Sequence, residues 1–178
     1  MKKIIAGLAV IIFFSGCAHV QPNYSLTMEG AAKRLASYLA SGLDESYRGM
    51  SCLSACPVDA GTMHAGRFGL SMQELMINAL TDEGVNVVDV QLRKKPYITC
   101  TDGFVALSRD ASRLRDEYRA GVILVSTYIT GRHNIVITTR AVDFTTNETI
   151  TSATTSLLMS PSIMDMLHAD QEKRLYER

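Results

Sequence analysis

The stretch Gly121-Val122-Ile123-Leu124-Val125 decides the fold of this chain. A continuous apolar run of this kind is typical of a strand buried at the centre of a sheet. Downstream of it, turns at 131–134 and 145–148 precede two further strand-like segments, 135–144 and 149–159. Three successive strands joined by short turns predict an antiparallel meander.

Upstream of this meander, helix-like and strand-like segments alternate. Apolar residues at helical spacing predict a first helix over 25–43, and the alternation over 50–58 predicts a strand. Ser71 and Glu74 have the spacing of a capping box, which predicts that a second helix begins there. The valine-rich segment 85–92 predicts the strand that follows this helix.

The remaining segments complete an α/β pattern. A third helix is predicted over 108–118 with Ser108 as its cap, and a last short helix begins at Ser160-Pro161. This order of elements predicts one domain over 25–170, a single mixed sheet flanked by helices with the meander on its C-terminal side. The charged tail over 171–178 is predicted to fray.

The N-terminus has the pattern of an export signal. Two lysines precede the apolar run 4–14, and small residues precede Cys17. The apolar run is too short for a transmembrane helix, which needs roughly 20 apolar residues. We therefore expect a signal peptide over 1–16 and a short tether over 17–24.

The segment Phe14-Ser15-Gly16-Cys17 resembles the bacterial lipobox. The resemblance implies that the Cys17 thiolate accepts a diacylglyceryl group, that cleavage follows before Cys17, and that this residue is then N-acylated. Several acyl chains hold a domain at a bilayer, because each buried methylene contributes about 0.8 kcal/mol. In enterobacterial sorting an aspartate after the cysteine retains the protein at the inner membrane, whereas this chain has Ala18. The expected location is therefore the outer membrane, with the body in the periplasm.

The charge balance excludes one class of partner. The chain has 18 Lys+Arg against 18 Asp+Glu, and its pI is about 6.9. Domains that bind nucleic acid through its phosphates are usually strongly basic. Removal of the signal peptide also removes two lysines, so the mature chain is slightly acidic. No nucleic-acid partner is predicted.

Three cysteines remain besides Cys17, namely Cys52, Cys56 and Cys100. At most one intrachain disulfide can form among them. If Cys52 and Cys56 share a strand, they lie roughly 13 Å apart and cannot bond to each other, so a disulfide would join Cys100 to one of them. The alternative is that they are small buried apolar residues. A zinc site with His64 is disfavoured because Cys-x3-Cys has no matching second pair.

No motif for an enzymatic reaction occurs in the sequence. The patterns for dinucleotide binding, phosphate binding, serine hydrolysis and zinc proteolysis are all missing. The acidic pairs Asp82/Glu83 and Asp116/Glu117 lie on predicted helices, where sequence neighbours point in different directions. We therefore predict no catalytic residues, no metal or other cofactor and no small-molecule substrate.

An ordered string of residues carries a resemblance to a known family. Its pieces are Phe68-Gly69, Glu74, Gly84, Val87-Val88, Leu107-Ser108-Arg109-Asp110, Val125-Ser126-Thr127-Tyr128 and Ala141-Val142-Asp143. Together with the lipobox, this string is similar to the FlgO family of flagellar assembly lipoproteins. The resemblance covers about 47–157, and the segment 107–110 is its most specific piece.

The resemblance implies a function and a fold. The function is that of a non-enzymatic outer-membrane lipoprotein, an accessory or assembly factor of the flagellum with protein partners in the basal body or the envelope. The implied domain is similar to the N-terminal domain of TolB. The alternative is a general envelope adaptor of TolB or CsgG type that serves secretion or envelope complexes. A lipid-anchored enzyme that uses a cysteine is a third hypothesis.

Replacement of the lipid acceptor tests the anchor. We expect Cys17→Ser to give an unacylated protein, either retained as an inner-membrane precursor or released as a soluble form if cleaved elsewhere, because serine lacks the nucleophilic thiolate. Fractionation combined with mass spectrometry of the N-terminus measures this. Continued acylation of the serine variant would refute the lipobox.

Overall fold

Seven strands form one mixed sheet in the part of the chain that the computed structural model describes, residues 24–88 and 120–176. The strands are β1 (Tyr24–Ser25), β2 (Ser51–Ser54), β3 (Val58–Asp59), β4 (Val87–Val88), β5 (Ala120–Thr130), β6 (Asn134–Asp143) and β7 (Thr149–Leu158). Their order across the sheet is β1-β7-β6-β5-β2-β4, and β3 pairs with β5 beside β2. The strands β5, β6 and β7 form the predicted antiparallel meander.

The strand β5 lies inside the sheet, as its apolar run predicted. It pairs antiparallel with β6 along one edge and parallel with β2 and β3 along the other. Val122, Ile123 and Leu124 are all buried although they point alternately to the two faces. This burial on both faces explains why the run is continuously apolar rather than alternating.

The single strand predicted over 50–58 is wrong, because the structure divides it into β2 and β3. Both pieces pair with the same edge of β5. Ala55 still donates its N–H to the oxygen of Leu124 at 3.1 Å, and the pairing is interrupted at 56–57. Pro57 explains the break, since it has no N–H to donate to a neighbouring strand. Cys52 and Cys56 therefore do not share one regular strand.

Four helices are described: α1 (Met28–Gly42), α2 (Glu45–Arg48), α3 (Arg67–Asp82) and α4 (Pro161–Tyr176). The helix α1 begins later than predicted because the preceding residues pair with β7 as β1. Its N-cap is Thr27, whose Oγ1 accepts the N–H of Gly30 at 3.1 Å. The helix α4 is longer than predicted and continues through Tyr176, so most of the predicted fraying tail is helical.

The capping box at Ser71 does not mark the start of α3, so this prediction is wrong. The helix begins at Arg67, and its N-cap Gly66 has no side chain to cap it. Phe68, in the first turn, is fully buried and its ring lies edge-to-face on Tyr128, with centroids 4.8 Å apart. Tertiary packing thus stabilises a first turn that the local capping signal does not mark. The predicted end is confirmed, since the helix stops just before Gly84, whose φ is +80°.

The helices α1 and α3 pack on each other and on one face of the sheet, which confirms the predicted α/β class. The main hydrophobic core lies between them; its largest fully buried side chains are Phe68, Leu35, Leu39, Met72, Leu80, Leu124, Ile135, Ile137 and Leu157. A second, smaller cluster lies on the opposite face around Leu53, Ile123 and Phe144. The helix predicted over 108–118 and the basic cluster at 93–95 lie outside the described residues. Within the described residues, no helix combines the length and the apolar character needed to cross a bilayer.

The close contact between α3 and the strand break gives a stability prediction. A methyl group at Gly69 would collide with the backbone carbonyl oxygen of Pro57, which has no flexible end that can move away. We expect Gly69→Ala to lower the free energy of unfolding by about 1–3 kcal/mol, the usual penalty for overpacking. Gly49→Ala is the matched control, because no atom lies within 4 Å of the added methyl, and it should change stability by less than about 0.5 kcal/mol. Urea unfolding measures both, and equal effects would contradict the contact.

Candidate functional site

The structure brings together only part of the residues that the sequence singled out. Cys17, Cys100 and the segment 107–110 (Leu107, Ser108, Arg109 and Asp110) lie outside the described residues. Cys52, Cys56 and the other pieces of the family string lie inside them. Phe68, Gly69 and Tyr128 meet near the end of β2, where α3 begins, whereas Asp143 lies apart from them beside α2. These two regions together are the candidate site.

Cys52 is a core residue of β2. It is 1% exposed, belongs to the main hydrophobic core and pairs across the sheet with Val87 of β4 and Val122 of β5. Its thiol is free, and burial raises its pKa to about 12. Because the thiolate is the nucleophilic form of cysteine, this thiol is unreactive in the folded protein.

Cys56 lies in the break between β2 and β3, buried with Val58 and Ala65. Its Sγ is 2.7 Å from Oε1 of Gln73 on α3. The amide of Gln73 also donates through Nε2 to the backbone oxygen of Ser54, at 2.8 Å. Gln73 therefore ties the helix to the end of β2 at the point where regular strand pairing stops.

Gln73 was missed by reasoning from the sequence, although a signal for it exists. It follows Gly69 by four residues and precedes Met76 by three, which places it on the same side of α3 as these two buried residues. It is 3% exposed. A polar residue on an otherwise apolar helix face must find hydrogen-bond partners, and such positions are therefore worth marking in a sequence.

Pieces of the family string that are distant in sequence contact one another or fit closely around this break. Phe68 contacts Tyr128 through their rings, and Gly69 allows α3 to approach the backbone of Pro57. The hydroxyl of Ser126 shares a buried 2.9 Å hydrogen bond with that of Thr139 on β6. These contacts hold α3, the strand break and the centre of the sheet in a fixed relation.

The last piece of the string forms a corner between α2 and the β6–β7 turn. Oδ1 of Asp143 accepts the backbone N–H groups of Thr145 at 2.6 Å and Thr146 at 2.9 Å, and its Oδ2 accepts the hydroxyl of Tyr47 at 3.1 Å. The N–H of Thr146, then that of Thr145, lower the pKa of Asp143. The carboxylate raises the pKa of Tyr47, which sequence reasoning had missed. The hydrogen bonds of the Asp143 carboxylate therefore stabilise the β6–β7 turn.

The polar groups of the candidate site form hydrogen bonds that stabilise the fold. The site contains an inert buried thiol, an amide and a hydroxyl pair with hydrogen-bond partners, and a carboxylate held in a turn. Within 24–88 and 120–176, no three His, Cys, Asp or Glu side chains lie close enough together to hold a metal ion. None of the contacts described here pairs a nucleophile with a base.

The meander also presents a face opposite α1 and α3, which we call the open face. Across it, Thr127, Thr138 and Thr154 form a row in register on the three strands, and the hydroxyls of the last two are 3.1 Å apart. Arg140 is exposed on this face, and Ile129 is 61% exposed at its end. Within the described residues, this face therefore carries hydroxyl groups, the positive charge of Arg140 and the exposed apolar side chain of Ile129.

Two kinds of comparison place this fold among known proteins. Solved structures similar to the chain include the C-terminal domain of LpoB from Salmonella enterica, with a TM-score of 0.55 and 18% identity over 74% of this chain and 98% of that one. The NMR structure of Escherichia coli LpoB has a TM-score of 0.56 and 17% identity, and the match covers 89% of this chain and 82% of that one. At this identity the likeness establishes the shared fold. No curated protein matches the chain.

The family comparison agrees with the resemblance carried by the ordered string. The family model described as "FlgO protein" matches residues 31–162, from the first turn of α1 to the start of α4. This range includes the strand break, α3 and the Asp143 corner. The chain belongs to the FlgO family.

Proposed function

We propose that this protein is a non-enzymatic lipoprotein, anchored through Cys17 at the periplasmic face of the outer membrane, that acts as an accessory or assembly factor of the flagellum. The observation that carries the proposal is the family match over 31–162, which covers most of the mature chain. The lipobox supplies the anchor, because acyl chains on one residue suffice to hold a soluble domain at a bilayer.

The geometry of the candidate site supports a role in assembly rather than in catalysis. Its polar groups serve the fold, as Gln73 does at the end of β2 and Asp143 does in its turn. Because these polar groups already have hydrogen-bond partners within the fold, we expect other proteins to bind at the surface of the domain. The expected partners are proteins of the flagellar basal body or the surrounding envelope.

The second candidate is a general envelope adaptor of TolB or CsgG type that serves secretion or envelope complexes. The observation in its favour is the fold shared with the C-terminal domain of LpoB, which spans 98% of that chain. One fold commonly supports several functions, so likeness of fold is compatible with either role. The two candidates differ in their partners.

Deletion and complementation test the flagellar role. Loss of the gene should impair swimming or remove flagellar filaments, and the wild-type gene should restore them. Complementation with Ala18→Asp should fail although the protein is still acylated, because an aspartate after the lipid cysteine redirects it to the inner membrane in hosts that use this sorting rule. Ala18→Ser is the matched control and should restore motility. Swimming assays, filament counts and membrane fractionation are the measurements.

Two outcomes would contradict this role. Normal motility with intact filaments in the deletion strain would remove the flagellar function. Full complementation by an inner-membrane Ala18→Asp protein would keep that function but remove the requirement for the outer membrane.

Photo-crosslinking distinguishes the two candidate functions. A photo-reactive amino acid at Ile129 reports on the open face, and one at Tyr38, 57% exposed, reports on α1. Neither side chain is buried, so neither change should unfold the domain. In native membranes we expect crosslinks to basal-body proteins from at least one position. Crosslinks only to secretion or other envelope complexes would favour the adaptor. The control is the protein without a photo-reactive amino acid, which should give no crosslink on irradiation.

A further inference from the structure

Cys56 is chemically distinct from the other cysteine that the structure describes. It is disulfide-bonded, whereas Cys52 is a free thiol. Cys56 lies buried in the break after β2 and is not exposed at the surface. The second cysteine of its disulfide must therefore be Cys17, Cys100 or a cysteine of another molecule.

Two of these partners are disfavoured by chemistry. In the mature lipoprotein the sulfur of Cys17 carries a diacylglyceryl group through a thioether, so it cannot form a disulfide. A bond to another molecule would require Cys56 to reach the surface, and Cys56 is only 3% exposed. Cys100 remains as the partner within the same chain.

The connectivity of the sheet is compatible with Cys100 as the partner of Cys56. The strands β2 and β4 are parallel neighbours, with Leu53 opposite Val88, so the chain leaves β4 at the same edge of the sheet where β2 ends. Cys56 follows Leu53 by three residues, and Cys100 follows Val88 by 12 residues. Twelve residues can span roughly 40 Å when extended, far more than this edge requires.

We propose that Cys56 and Cys100 form an intramolecular disulfide in the mature protein, which ties the connection between β4 and β5 to the end of β2. Each thiol loses one proton and one electron when the S–S bond forms. The two electrons and two protons pass to an oxidised protein of the thiol–disulfide exchange class, whose own disulfide is reduced to two thiols. The inference rests on the proposed function for the acylation of Cys17, which excludes this cysteine as the partner, and for export to an oxidising compartment, where such bonds persist.

The surroundings of Cys56 also accommodate its reduced form. Oε1 of Gln73, 2.7 Å from Sγ, is an acceptor to which a Cys56 thiol can donate. Reduction therefore leaves no buried donor without an acceptor at this position. We expect the reduced protein to fold and to lose only the stabilisation that the crosslink gives.

Counting thiols tests the pairing in protein purified from the cell envelope. Labelling in denaturant with a maleimide polymer should add one polymer to unreduced protein, at Cys52, and three after reduction, because Cys17 is acylated. Cys56→Ser should give two labels without reduction, since Cys100 loses its partner. The matched control Cys52→Ala should give none. Three labels on unreduced wild-type protein would overturn the proposal.

A peptide map identifies the bonded pair directly. Unreduced digestion should yield a peptide containing Cys56 joined to one containing Cys100, and the same species should survive in Cys52→Ala. A link between Cys56 and Cys52, or a covalent dimer that disappears on reduction, would refute the proposal. Two labels on the unreduced wild type, together with the linked peptide, would mean that the disulfide forms but that Cys17 is not acylated. This outcome distinguishes failure of the anchor from failure of the disulfide.

Thermal unfolding measures what the crosslink does. A reductant should lower the Tm of the wild type by roughly 5–15 °C, the range expected for loss of a disulfide in a domain of this size. Cys56→Ser should have the lower Tm from the outset and should not respond to reductant, whereas Cys52→Ala should still respond. An unchanged wild-type Tm on complete reduction would show that the bond does not constrain the fold.

Discussion

Backbone hydrogen bonding along both edges of β5 is the constraint on which the rest of the domain depends. A strand buried on both faces cannot leave its N–H and C=O groups to water, so each edge must find a partner. The meander supplies β6 along one edge, and the chain before it supplies β2 and β3 along the other. The order of the sheet and the position of the main core follow from this arrangement.

The break between β2 and β3 is the point at which this constraint is locally relaxed. Because Pro57 cannot donate a hydrogen bond, the backbone turns away from β5 and α3 occupies the space beside it. Gly69 allows the close approach, and Gln73 donates to the carbonyl at the end of β2. Gly69 belongs to the family string, so this piece of the string serves the packing of α3 on the strand break.

The sequence was informative where the deciding signals were local. The structure confirms the buried strand predicted from the apolar run of β5 and the strands predicted from the turns of the meander. It also confirms the end of α3 predicted from Gly84. The start of α3 was mispredicted because a capping box is a local signal, whereas the first turn of this helix is stabilised by the contact of Phe68 with Tyr128. The prediction of one continuous strand over 50–58 was wrong because Pro57 interrupts the pairing of this segment with β5. This pairing partner lies far along the chain and is not visible in the local sequence.

By itself, the sequence determined the meander and membership of the FlgO family, which the family match confirms, and it predicted an export signal that ends at Cys17. These depend on residues adjacent or regularly spaced along the chain, or on the order of short motifs. Only the tertiary structure decided that Cys52 is an inert core thiol, that Cys56 lies in a strand break, and that Gln73 joins the two elements around it. The physical reason is that burial and hydrogen-bond partners come from segments remote in sequence, which become neighbours only when the sheet assembles.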